Sequence, residues 1–122
     1  MQKLAIIASA AILAAASPAL ADDWDFLLTN NTGKPIEKIE VAPSDSGVWA
    51  ENKVDTELNK TGKVKPGGKT TVHFEKSPSV CKFDLRATFE DKSSAIWSTI
   101  NVCEYSYVII AFTGGKPTYK VN

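Results

Sequence analysis

The residues of this chain with chemistry to offer are two cysteines, one histidine and a scatter of carboxylates. Cys81 and Cys103 are the only thiols, and His73 is the only imidazole. A dithiol redox centre needs Cys-x-x-Cys, a zinc site needs more Cys or His, and blue copper needs two His beside its Cys. None of those patterns is present. The pair therefore reads as a structural disulfide, which requires an oxidising compartment. His73 falls at a polar-phase position of a β-type run, with no second His and no Ser-x-Gly elbow nearby, and reads as solvent-facing.

The carboxylates give weaker patterns. Asp45-Ser46-Gly47 with Glu51 and Asp55 downstream offers the oxygen ligands that Ca²⁺ takes, but misses the EF-hand spacing. Turn chemistry accounts for it equally well, so no metal and no cofactor is expected. Asp84 and Glu90 share one strand face and stand about 20 Å apart at strand rise. The carboxyl pair of a glycosidase stays within about 10 Å. Asp84, Arg86 and Glu90 read as a solvated face with cross-strand ion pairs. Asn30-Asn31-Thr32 and Asn59-Lys60-Thr61 match the glycosylation triplet, which a bacterial exported chain does not normally use. Trp49 sits in a Gly/Asn/Ser-rich stretch, either plugging the end of the domain or displayed to a partner.

Composition narrows the compartment and the function classes. Lys3, then the apolar run Leu4 to Ala16, then Ala19-Leu20-Ala21 read as a cleaved export signal over residues 1–21. The run is shorter than the roughly 20 residues of a membrane span. The expected mature domain, 22–122, holds 13 basic and 14 acidic residues. That balance gives no electrostatic pull towards nucleic acid or an anionic membrane. The expected location is the periplasm or the outside of a bacterium.

The elements that must position these residues are strands. Seven β-type runs separated by turn residues are legible: 24–29, 36–41, 69–75, 80–90, 95–102, 107–112 and 118–121. The alternation of 36–41 is imperfect, with Ile36 out of phase with Ile39 and Val41. Cys81, Phe83, Leu85, Ala87 and Phe89 alternate with Lys82, Asp84, Arg86, Thr88 and Glu90, as in a half-buried antiparallel strand. Residues 43–63 form the least regular stretch, with room for a helical turn near 55–60. The fold class is all-β, an antiparallel β-sandwich of about seven strands with one disulfide inside a hairpin.

A three-residue loop at Asp91-Lys92-Ser93 would pair Glu90 with Ser94, Ala87 with Trp97 and Leu85 with Thr99. It would also set Cys81 directly opposite Cys103, at a Cα spacing of about 4.5–5.5 Å, which a disulfide accepts.

Asn30-Asn31-Thr32-Gly33, Ile36, Ile39, Pro43-Ser44, Trp49, Cys81-x-x-Asp84-x-Arg86-x-x-Phe89-x-Asp91 and Asn101-Val102-Cys103-Glu104 resemble a family of small signal-peptide-bearing bacterial proteins. The likeness spans nearly the whole mature domain. After Trp49, where Gly and an acidic residue are expected, stand Ala50 and Glu51. The resemblance implies a secreted β-sandwich and carries no catalytic residues. The expected function is non-enzymatic binding of an envelope or secreted protein through the 43–63 loop, with Asp45, Trp49, Glu51 and Asp55 as candidate contacts. An inhibitor or immunity-type protein is the alternative within binding. A small hydrolase or carbohydrate-active domain is the alternative outside it.

Overall fold

The computed structural model describes residues 22–122; the expected signal segment 1–21 lies outside the described residues. Eight strands form among the described residues: β1 (Asp22–Asn31), β2 (Ile36–Pro43), β3 (Ala50–Asn52), β4 (Lys69–Lys76), β5 (Lys82–Phe89), β6 (Ser94–Asn101), β7 (Tyr107–Thr113) and β8 (Lys116–Val121). They build two four-stranded sheets, ordered β4-β1-β7-β8 and β3-β2-β5-β6. The expected sandwich is correct. The count of seven omitted β3, a three-residue strand inside the irregular stretch that pairs with β2. One pair is not antiparallel: β1 runs parallel to β7, with Leu27 beside Tyr107 and Thr29 beside Ile109.

The core follows from the period-2 pattern. Phe26, Leu28, Val72, Phe74, Val108 and Ile110 of the first sheet face Ile39, Val41, Phe83, Leu85, Phe89 and Trp97 of the second, all buried. Phe74 touches both Phe26 and Phe83, with ring centroids 5.9 and 4.8 Å apart.

Two breaks in the alternation are β-bulges. Ile36 and Ile39 are both buried because the β2–β5 register shifts at Glu37. Trp97 and Ile100 are both buried because Ser98 and Thr99 together oppose Asp84. Thr99 takes φ +63° there, a conformation that strains a β-branched residue.

The hairpin register departs from expectation. Phe89 N–H bonds to Ser93 O (2.8 Å), and Lys92 N–H to Phe89 O (2.8 Å). The loop is therefore Glu90-Asp91-Lys92, one residue earlier than expected, with Lys92 at φ +74°. Asp91 fixes this choice by accepting from the N–H and the hydroxyl of Ser93. Leu85 then pairs with Trp97, and Ala87 with Ala95. The bulge takes back one residue of that offset, so Cys81 O meets Val102 N–H (2.9 Å) rather than Cys103. The Cys81–Cys103 disulfide still forms, at a Cα distance of 5.2 Å. Cys103 reaches it from a turn held by Asn101 Oδ1, which accepts from Cys103 and Glu104 N–H.

The glycosylation triplets are turn chemistry. Asn30 is fully buried; its amide donates to Lys34 O and Val64 O, and its Oδ1 accepts from Thr32. Asn59 is buried and donates to Asp55 O and Lys69 O.

Candidate functional site

The outer face of β3-β2-β5-β6 gathers the residues best suited to recognition. Register sets Glu51, Glu40, Arg86 and Ile96 in one row across its four strands. Arg86 bonds Glu40 with both arms of its fork, Nε–Oε1 at 2.9 Å and NH2–Oε2 at 3.0 Å. These bonds hold the Glu40 carboxyl below its ordinary pKa and raise that of Arg86. Trp49, one residue before β3, lies with its ring 4.3 Å from the Arg86 guanidinium carbon. Such a stack contributes about 0.5–2 kcal/mol. Trp49 is thus neither a plug in the core nor a free loop tip: it is half-buried on the sheet's outer surface. Ile96, in the same row, is exposed at 43%, and Val48, next to Trp49 in the chain, at 68%.

Asp84 ties the ends of this surface together. Its Oδ1 accepts from the Ser44 hydroxyl (2.8 Å) and from Thr99 N–H (2.9 Å), and its Oδ2 from Asp45 N–H (3.4 Å). Asp45 is exposed in the turn that leads to Trp49, at φ +65°. One carboxylate therefore braces two left-handed backbone positions, one on each side of β5. It is a structural brace rather than a member of a solvated row.

The four candidate contacts do not converge. Asp45 and Trp49 belong to the sheet face, and Glu51 stands at its edge on β3. Glu51 and Asp55 line an open depression of about 380 Å³ with Asn52, Lys53, Thr71 and His73. Asp55 starts a single helical turn: its Oδ1 accepts from Glu57 N–H (2.9 Å), and its carbonyl accepts from Asn59 N–H (2.9 Å). Beside it, the Asn52 side-chain amide pairs with both backbone groups of His73, donating to its O and accepting from its N–H. His73 Nδ1 contacts Asp25 Oδ1. Among the described residues, no three His, Cys, Asp or Glu side chains are grouped to hold a metal ion.

Arg86 lies on the outer face, as its polar phase predicts, and its contact with Trp49 has no local signature in the sequence. Glu40 and Ile96 likewise join the site only through the strand register. The available signal was the polar phase of the best strand, which puts Arg86 outward; which aromatic residue it meets depends on the β2–β3 return.

The fold and this surface define a class: a disulfide-stapled all-β sandwich with an aromatic–arginine face. No family model and no curated protein matches the chain. Among solved structures, it is similar to a protein from Eubacterium rectale determined by NMR. The two share 16% identity at a TM-score of 0.55, over 81% of this chain and 87% of the other. That likeness shows the fold.

Proposed function

We propose that this chain is an exported, non-catalytic binding protein of the bacterial envelope, periplasmic or secreted, that engages a protein partner through the outer face around Trp49. The observation that carries the proposal is the Trp49–Arg86–Glu40 stack, with Ile96 exposed in the same register row and Val48 exposed next to Trp49 in the chain. Tryptophan and arginine are enriched at the centres of protein interfaces. A side chain already held in place loses little freedom on binding. Asp45 and Glu51, both exposed, supply a polar rim. The Cys81–Cys103 disulfide supports an oxidising location.

The test is affinity capture from envelope extract with the disulfide-bonded protein, followed by a titration with the purified partner. Trp49→Ala is expected to weaken binding by about tenfold or more and to lower the melting temperature by only about 4–8 °C. Unchanged affinity in Trp49→Ala, together with a much larger thermal loss, would assign Trp49 to the scaffold and overturn the proposal.

A further inference from the structure

The opposite outer face, on β4-β1-β7-β8, carries a second surface of different chemistry. Lys69, Thr29, Ile109 and Lys120 stand in one register row across all four strands. Ile109 and the neighbouring Tyr107 are exposed at 37% and 53%. Together with Leu27 they floor a depression of about 270 Å³ whose charged side chains, among the described residues, are Lys69 and Lys120; Asn122 at its rim is engaged by the Ser106 and Tyr107 N–H groups. A second depression of about 380 Å³ adjoins it, sharing Ile109 and Lys120. Neither lysine forms an ion pair among the described residues. An apolar floor thus lies between two uncompensated cations.

The spacing selects an occupant. Lys69 and Lys120 are three strand separations apart, about 14 Å across the sheet. In an extended peptide, residues i and i+4 point the same way and lie about 14 Å apart, with residue i+2 between them on the same face. We infer that this face binds an extended acidic peptide segment of the form acid-x-apolar-x-acid. Its central large side chain fills the depression over Ile109, and its two carboxylates meet Lys69 and Lys120. The depression over Leu27, Tyr107 and Ile109 has the size for one large side chain. This surface is on the other sheet from Trp49, so the two proposals stand or fall separately.

The probe is a capped Glu-Ser-Phe-Ser-Glu peptide titrated into the full disulfide-bonded protein, read by amide chemical-shift changes. Expected are shifts centred on Thr29, Tyr107, Ile109 and Lys120, weakening with salt. The Lys69→Glu/Lys120→Glu variant is expected to bind about tenfold more weakly, the effect of losing two exposed ion pairs. The milder Lys69→Gln/Lys120→Gln variant should fall between, and both should keep the wild-type amide spectrum elsewhere. Binding by Lys-Ser-Phe-Ser-Lys as tight as by the acidic peptide would overturn the inference. So would shifts centred on Trp49, or indifference to the charge reversal. Concentration-dependent self-association through Ile109 would replace the peptide with a second copy. Adsorption to phosphatidylglycerol vesicles without peptide binding would replace it with a lipid surface.

Discussion

Asp91 shows how one carboxylate sets a turn and acquires a pH dependence from it. The hydrogen bonds from the Ser93 side chain and backbone, and the contact with Lys34 at 3.1 Å, lower its pKa from 3.8 to about 2. A carboxyl whose folded pKa is depressed adds stability that is fully present above its unfolded value. That stability is lost as pH falls from about 4 through about 2. A carboxyl titration followed by NMR should give Asp91 a midpoint near 2, and Ser93→Ala should move it back towards the ordinary range. A midpoint near 4 in the wild type would remove Asp91 as the organiser of the loop. The same residue explains the register error. Asp91, Lys92 and Ser93 are all acceptable turn residues, and only the reach of the Asp91 side chain to Ser93 decides where the loop begins. Trp49 was equally opaque: its neighbour Arg86 comes from a distant strand, and no local pattern encodes that meeting.

At the scale of elements, much was legible. Burial alternates along β4 and β5 as their side chains do. Ile36 and Ile39 mark the bulge in β2 as a phase break, and Ala95, Trp97 and Ile100 carry the same signal in β6. A rigid period of 2 pushed through those residues yields the wrong partners for both. The β6 bulge carries a testable strain. Thr99 keeps φ +63° because Asp84 accepts its N–H and its carbonyl accepts the Tyr119 hydroxyl at 3.0 Å. Both bonds use the Thr99 backbone, so a glycine retains them while removing the strain. Thr99→Gly is therefore expected to raise unfolding stability by about 1 kcal/mol in urea titration. A loss of stability would show that the threonine side chain, rather than the backbone conformation, is what the site requires.

Across the whole molecule, side chains close both open sides of the sandwich. On one side, Asn52 of β3 pairs with the backbone of His73 in β4. On the other, the Trp97 indole N–H donates to Ala111 O (3.2 Å) and Thr118 O (2.9 Å), while Tyr119 reaches Thr99 across β8 and β6. Edge strands laced in this way offer less backbone to another chain. Trp97→Phe keeps the bulk but leaves both carbonyls without the indole, so hydrogen exchange of the β7–β8 amides should accelerate while β1 and β4 stay protected. Uniform acceleration over both sheets would mean that Trp97 acts only through global stability. The parallel pairing of β1 with β7 adds a constraint in time. Of the strands described, β1 is made first, yet β7, which flanks it through Leu27 and Tyr107, is made seventh. Contacts between such distant segments slow folding. The first sheet therefore stays open along one side of β1 until residues 107–113 have been made.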